Sequence, residues 1–312
     1  MIFFILMVKG FIVGIAFIIP GVSGGTLAVY LGIYKRLLDS IANLFKETKK
    51  SLDFLVPFGL GALFSVFALA KIFGILIEWN SFIVLLFFIG LLAGGIGHLL
   101  KKTQIREMNI VNIVFSFLGF LFLLVIIIID KTSTVNGVEF FQLNLLTYLL
   151  LIVLGLISAT TMIIPGISGS AILMVLGFYT AIVSNVIGNV FDLSQFSYNF
   201  QVLLFFMLGI VIGILLFSKL IAYLLEKFPK NTYSLILGLV LASMVGVFLE
   251  IRDPATAETF EMQRPIYKDL FAYLGSHPWT LIFGLIFFVG GFITSIYLTK
   301  FEGVGEKIDE TQ

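Results

Sequence analysis

The chain has 312 residues, of which 60% are hydrophobic and only 12% are charged, and its mean hydropathy is +1.13. Soluble domains carry about 25% charged residues, so this composition excludes a water-soluble globular protein and indicates an integral membrane protein. The formal net charge of +1 gives no sign of nucleic-acid binding, and the lack of cysteine excludes disulfides, thiolate metal ligands and a catalytic thiol.

The chain begins with an apolar segment that is interrupted at Pro20 and Gly21. Proline removes a backbone donor and glycine permits unusual dihedral angles, so we expect a broken hairpin over about 5–45 instead of one straight helix. Apolar runs then predict three membrane spans, at about 54–78, 82–100 and 109–129.

The same order of elements is expected a second time. The later segments are an external linker at 131–142, a hairpin at about 143–190, spans at about 200–225, 231–249 and 279–299, and a cytoplasmic tail at 301–312.

An internal repeat supports this division. The segment PGVSGGT at 20–26, followed by LGIY at 31–34, recurs 145 positions later as PGISGSA followed by LGFY. The match continues at an offset of 148, where Gly90-Leu91 pairs with Gly238-Leu239. We therefore predict a first repeat at 1–130 and a second at 143–300.

The predicted fold class is an all-α integral membrane protein. If each hairpin enters and leaves by the same face, each repeat keeps three spans, and this odd number inverts the second repeat relative to the first. The expected architecture is therefore two inverted-topology repeats, each a re-entrant broken hairpin followed by three transmembrane helices.

The positions of the basic residues predict the orientation. With both termini in the cytoplasm, 12 Lys and Arg residues fall in inside segments, and four fall outside: Lys131, Arg252, Arg264 and Lys268. Cytoplasmic loops carry an excess of Lys and Arg, so this orientation is favoured.

The two Pro-Gly loops are the strongest candidates for a site. Backbone groups freed in them would be costly in lipid, so the loops must face protein or a water-filled cavity. Glycine and serine N–H groups, with hydroxyl donors, suit a phosphate or a carboxylate. An alternative is that the small residues only allow close helix packing. The candidate phosphate-binding residues are Lys9, Gly21, Ser23, Gly24, Gly25, Thr26, Gly166, Ser168, Gly169 and Ser170.

Two further lysines fall inside apolar segments at matching repeat positions. Lys71 and Lys219 each precede a glutamate by seven residues, Glu78 and Glu226. These four side chains are candidates for gating or for phosphate contact, although snorkelling to the interface also explains the lysines. No metal site is expected, because neither histidine has a companion ligand at helical spacing, and no cofactor is expected.

The doubled motif resembles the PopT-type polyprenyl-phosphate transporters, a family of bacterial integral membrane proteins. The resemblance rests on PGVSGGT with LGIY and PGISGS with LGFY, and on the Lys9-Gly10 pair, and it covers nearly the whole chain. One departure is that members often carry an acidic or polar residue shortly before the first Pro-Gly, where this chain has Phe17. An ion-coupling role at that position is therefore open.

The resemblance implies that the chain returns undecaprenyl phosphate from the outer to the inner leaflet of the bacterial cytoplasmic membrane. This lipid carries the precursors of cell-wall and envelope polysaccharide synthesis, so the protein would be a flippase and not an enzyme. On this hypothesis the two loops and Lys9 hold the phosphate, and one repeat rocks against the other. The isoprenoid tail would stay among bilayer lipids, and the resemblance leaves the oligomeric state undetermined.

Two other functions use similar loops. A secondary transporter of a small anion would need a closed polar cavity in place of a lateral opening to lipid. A membrane undecaprenyl-pyrophosphate phosphatase of the bacitracin-resistance type is less favoured, because its loop continues with an arginine where this chain has Gly24 and Gly169. The paired glutamates of those enzymes are also missing from the hairpins.

Overall fold

A computed structural model describes most of the chain as helix. It covers residues 2–17, 22–104, 108–132, 138, 141–166, 172–173, 175–187, 192, 194–257 and 262–300. The α-helices in this part of the chain are α1 (Ile2–Ala16), α2 (Gly24–Tyr30), α3 (Tyr34–Ala42), α4 (Thr48–Lys102), α5 (Ile110–Thr132), α6 (Leu145–Ile163), α7 (Phe196–Lys227), α8 (Pro229–Leu249), α9 (Leu270–Ser276) and α10 (Pro278–Lys300). A π-helix at Thr180–Ile187 lies between α6 and α7.

The protein is a multi-pass membrane protein. Among the described residues, six helical stretches are long and apolar enough to cross a membrane: Thr48–Leu69, Lys71–Lys102, Ile110–Thr132, Phe196–Lys227, Pro229–Leu249 and Pro278–Lys300. Each predicted span falls on one of the helices that contain these stretches. The prediction of a helical integral membrane protein is confirmed.

The long helix α4 is interrupted at Asn80. An unbroken helix of its 55 residues would be about 80 Å long, far more than the roughly 30 Å of a bilayer core. Asn80 has extended dihedral angles (φ −163°, ψ 91°), and its Oδ1 accepts a hydrogen bond from the N–H of Ile83 at 3.1 Å. A second non-helical residue, Phe228 (φ −132°, ψ 53°), separates α7 from α8 and lies 148 residues later. The two breaks therefore occupy matching repeat positions.

Glycines bring the first helix of each repeat against its first span. A Cβ added at Gly10 of α1 would overlap the carbonyl of Phe58 in α4. The counterpart Gly155 of α6 would overlap the carbonyl of Phe206 in α7 in the same way. Each repeat thus contains one tightly packed pair of helices, α1 with the first half of α4, and α6 with α7.

The last long apolar helix of each half of the chain, α5 or α10, packs on the other half. A Cβ added at Gly90, in the second half of α4, would overlap the carbonyl of Phe288 in α10. A Cβ added at Gly238 in α8 would likewise overlap the carbonyl of Ser116 in α5. Because α5 packs on α8 and α10 packs on α4, the two halves of the chain interlock.

The described buried residues form one large core, one smaller core, and a third, minor cluster of Leu123 and Ile127 of α5 with Leu239 and Ala242 of α8. The large core contains residues of α1 to α4, α7 and α8, and therefore joins both halves of the chain. The smaller core contains Leu151 and Leu154 of α6, Ile182 of the π-helix, and Val202 and Phe206 of α7. Only the second half of the chain contributes to this smaller core.

The segment between α8 and α10 forms structure that the sequence did not indicate. Arg252–Asp253 pairs antiparallel with Arg264–Pro265, and the short helix α9 follows. The Ser81 hydroxyl donates to the Arg252 carbonyl at 2.8 Å, beside an ion pair between Lys131 and Glu250. These contacts tie the ends of α5 and α8 to the break in α4.

Candidate functional site

The described part of the first Pro-Gly motif, residues 22–26, leads into α2, which runs back along α1. A Cβ added at Gly24 would lie 3.0 Å from the ring of Phe17 and 3.3 Å from Val13. At the other end, Lys9 Nζ donates to the carbonyl of Leu31 at 3.0 Å. The contacts run in opposite order along the two helices, so α1 and α2 are antiparallel.

The second Pro-Gly motif follows the end of α6. Ile164 has extended dihedral angles, and its N–H donates to the carbonyl of Thr160 at 2.9 Å. Gly166 has a φ of +91°, a conformation that glycine adopts without steric cost. A Cβ at Gly166 would lie 2.9 Å from the carbonyl of Leu239, so this motif packs closely against α8.

The two motifs touch each other in the interior of the protein. A Cβ added at Gly25 would lie 3.3 Å from both N and Cα of Pro165, and 3.4 Å from the carbonyl of Ile163. The Tyr34 hydroxyl donates to that same Ile163 carbonyl at 2.8 Å. The candidate residues Gly21, Ser168, Gly169 and Ser170 lie outside the described residues.

Buried hydroxyls lie on the first motif. Thr26 is fully buried, and no group in the described part of the chain makes a hydrogen bond with its Oγ1. Ser23 is 6% exposed, and its side chain makes no capping hydrogen bond with α2. A buried hydroxyl without a partner costs free energy, about 1–3 kcal/mol in protein mutational data. A ligand oxygen at this place would satisfy the Thr26 hydroxyl.

Lys9 lies at the end of the hairpin that is remote from the Pro-Gly motif. Its side chain is buried, and its Nζ donates to the carbonyl of Leu31 beyond the end of α2. Seven helical residues separate Lys9 from the end of α1 at Ala16, which places the two about 10 Å apart along the helix. Lys9 therefore places a buried amino group about 10 Å along α1 from the end that precedes the motif.

The comparisons with known proteins assign the chain to a family. Residues 13–262 match a family described as undecaprenyl phosphate translocase-like. This chain belongs to that family.

Two curated relatives agree with the family assignment. A protein of Vibrio cholerae named polyprenyl-phosphate transporter is 27% identical to this chain over 315 residues, which cover 94% of this chain and 95% of that protein. A protein of Staphylococcus aureus with the same name is 30% identical over 243 residues, which cover 78% of this chain and 85% of that protein. No solved structure matches the chain.

The candidate gating residues of this family member lie on the protein surface. Lys71, Glu78, Lys219 and Glu226 are all exposed, and no ion pair joins either lysine to its glutamate within these four described residues. In addition to the effect of burial, Glu226 lies close enough to Asp39 of α3 for its negative charge to raise the pKa of the Asp39 carboxyl. None of these four side chains makes a hydrogen bond or an ion pair with the described residues of the two motifs, 22–26 and 165–166.

Sequence reasoning missed two buried tyrosines of the first hairpin. Tyr30 donates to the carbonyl of Leu92 at 2.8 Å, and Tyr34 donates to the carbonyl of Ile163. The repeat offered a signal for Tyr34, because Tyr179 occupies the matching place in the second motif. A tyrosine that recurs at the same motif position among apolar residues is the pattern that indicates a buried hydroxyl of this kind.

Proposed function

We propose that this chain transports undecaprenyl phosphate, or a related polyprenyl phosphate, across the bacterial cytoplasmic membrane. The lipid would move from the outer to the inner leaflet and so return to cell-wall and envelope polysaccharide synthesis. The observation that carries the proposal is the contact of Gly25 with Pro165, which joins the two Pro-Gly motifs inside a member of this family. The names of the two relatives support the same substrate class.

The phosphate head group would be held between the two motifs. Hydroxyl and N–H donors are the groups that recognise phosphate oxygens, and a phosphate would supply the acceptor that Thr26 Oγ1 lacks among the described residues. The proposed contacts are Gly21, Ser23, Gly24, Gly25 and Thr26 of the first motif, and Gly166, Ser168, Gly169 and Ser170 of the second. Lys9 would make a second contact with the phosphate along the hairpin, before or after the head group contacts the motifs.

The isoprenoid tail has a separate requirement from the head group. Large apolar side chains are exposed along the spans, for example Phe67, Phe122 and Ile286. A tail that remains among bilayer lipids beside such surfaces loses no contact with hydrocarbon. Only the charged head group then needs a shielded path through the protein.

We propose that the two halves are inverted repeats, with both termini in the cytoplasm. The same close contacts recur at the repeat offsets, for Gly10 with Phe58 and for Gly155 with Phe206. Three spans in each repeat invert the second copy, and the excess of basic residues in inside segments supports the orientation.

The moving units would be the two packed hairpin-and-first-span pairs and not the whole repeats. Rocking of whole repeats would separate α5 from α8 and α10 from α4. This movement would break the close backbone contacts at Gly238 and Gly90. Non-helical residues at Asn80 and Phe228 stand between these spans and the first spans, and can act as hinges. In this structure α3 packs on α7, so the two units contact each other through these helices.

Transfer of labelled undecaprenyl phosphate between the leaflets of sealed liposomes tests this function. The purified wild type is compared with the Ser168→Ala, Lys9→Ala double variant, and phosphate release is assayed alongside. Loss of charge-assisted hydrogen bonds is expected to slow transfer about 10–100-fold, with no phosphate released. A Ser243→Ala, Lys46→Ala variant, which changes a buried serine and an exposed lysine elsewhere, is the matched control.

The outcomes separate the site from the function. A folded wild type that moves no lipid would overturn the proposed function, and phosphate release would indicate an enzyme. Equal transfer by the wild type and the double variant would leave the function in place and remove the phosphate site.

A further inference from the structure

We propose that Tyr34 is a positioning residue, whose hydroxyl sets the second Pro-Gly motif against the first. This inference rests on the proposed function, because it assigns a role to Tyr34 within the same substrate site. Tyr34 is the first residue of α3 and is only 3% exposed. Its hydroxyl reaches across 129 residues of sequence to the Ile163 carbonyl, at 2.8 Å.

The acceptor of this hydrogen bond belongs to the end of a helix. Ile163 is the last residue of α6, and the carbonyls of a final helical turn lack the usual partners within the helix. Pro165, two residues later, brings no N–H group to this end. The Tyr34 hydroxyl therefore fixes the carbonyl from which the second motif begins.

The same carbonyl is also the point of contact with the first motif. A Cβ added at Gly25 would lie 3.4 Å from the Ile163 carbonyl and 3.3 Å from Pro165, which is tighter than an ordinary contact, so Gly25 packs closely against the start of the second motif. Tyr34 follows Gly25 by nine residues and belongs to the same hairpin. The first hairpin thus holds the start of the second motif by a packing contact at Gly25 and by a directional hydrogen bond at Tyr34. The packing contact sets the distance between the motifs, and the hydrogen bond adds a directional constraint on the Ile163 carbonyl.

Tyr30 provides a matched control in the same hairpin. It is fully buried, and its hydroxyl also donates to a main-chain carbonyl at 2.8 Å. Its acceptor, Leu92, lies in the second half of α4 and not beside a Pro-Gly motif. Tyr30→Phe and Tyr34→Phe each delete one oxygen from a buried bond of equal length, so a general loss of stability would affect both variants alike.

The first measurement is the dependence of lipid transfer on the concentration of undecaprenyl phosphate. Tyr34→Phe is expected to raise the half-saturating concentration about tenfold, which corresponds to one buried hydrogen bond that no longer positions the site. Tyr30→Phe is expected to change it less than about twofold. Equal effects of the two variants would overturn the positioning role and leave the proposed function standing.

The second measurement needs no transport, and so it decides the role of Tyr34 even if the wild type moves no lipid. Hydrogen exchange in nanodiscs of the Ile164 amide, which shares a peptide group with the Ile163 carbonyl, reports how firmly the start of the second motif is held. Tyr34→Phe is expected to speed this exchange at least about threefold, because the peptide group loses the hydrogen bond that fixes its carbonyl. Tyr30→Phe is expected to leave the exchange rate unchanged, and equal rates in the two variants would refute the inference.

Discussion

The two hairpins share a motif but differ in what they pack against. The described residues after each motif are helical, α2 in the first hairpin and residues 172–173 and 175 in the second. A glycine of positive φ follows them in each hairpin, Gly32 (67°) and Gly177 (78°). The next residue of each donates its N–H to the carbonyl five residues earlier, from Ile33 to Ala28 at 3.0 Å and from Phe178 at 2.9 Å. At this turn, the two hairpins have the same local structure.

Beyond the turn, the hairpins diverge. In the first hairpin α3 is an ordinary α-helix that packs on α7, in the other half of the chain. In the second hairpin the matching segment is the π-helix Thr180–Ile187, whose buried residues join the smaller core with α6 and α7 of its own half. This difference indicates that the repeated motif specifies the turn. The surrounding helices determine the half of the chain against which each hairpin packs.

The largest expected effect concerns the helix contacts that both hairpins share. Gly10→Val and Gly155→Val each insert a side chain where even a Cβ would overlap a carbonyl oxygen, so each is expected to cost more than about 4 kcal/mol and to abolish folding. The yield of monodisperse protein after size-exclusion chromatography measures this. Gly59→Ala is the control, because nothing lies within 4 Å of an added Cβ there. A folded Gly155 variant beside an unfolded Gly10 variant would show that the two contacts are not equivalent.

A smaller effect would separate the two hairpins. Leu38 of α3 and Ile182 of the π-helix are both fully buried, so replacing either by alanine is expected to cost about 3 kcal/mol. Hydrogen exchange of α7 should distinguish them. Leu38→Ala is expected to increase exchange near Leu225, which belongs to the large core, and Ile182→Ala near Val202 and Phe206, which belong to the smaller core. The same exchange pattern in both variants would contradict the separation of the smaller core from the large core.

The sequence predicted the class and the family of this protein more fully than its packing. Hydropathy alone located the spans, since the bilayer imposes a length on every apolar helix. Membership of the polyprenyl-phosphate transporter family, inferred from the doubled Pro-Gly motif, is confirmed by the match over residues 13–262. The packing of α5 and α10 on the other half of the chain was not predicted, because Gly90 and Gly238 indicate close packing without indicating the partner helix.

The role of the candidate site in binding phosphate stays a prediction, and its arrangement was predicted only in part. The contact of Gly25 with Pro165 brings the two motifs together, as sequence symmetry suggested. The spacing of Lys9 from Pro20 did not show that a folded-back hairpin places the lysine beside Leu31. Helical rise separates residues that are near in sequence, and only the path of the chain can bring them together again.

The smallest expected effect tests the charge at the contact of α3 with α7. Burial raises the pKa of the Asp39 carboxyl above its usual range, Lys35 opposes this shift, Glu226 of α7 adds to it, and Lys50 opposes it. The folded state therefore disfavours ionised Asp39, and this penalty is present above the raised pKa. Lowering the pH through the raised pKa removes the penalty, so stability from this group falls as the pH rises through the same window.

Thermal unfolding in nanodiscs as a function of pH measures that contribution. Asp39→Asn is expected to remove it and to raise Tm at neutral pH by no more than about 2 °C, because the side chain is only partly buried. Asp53→Asn, at an exposed position near the start of α4, is the control and should keep the wild-type pH dependence. If Asp39→Asn also kept the wild-type pH dependence of Tm, ionised Asp39 would not destabilise the contact of α3 with α7. The apolar core around Leu38 alone would then hold α3 on α7.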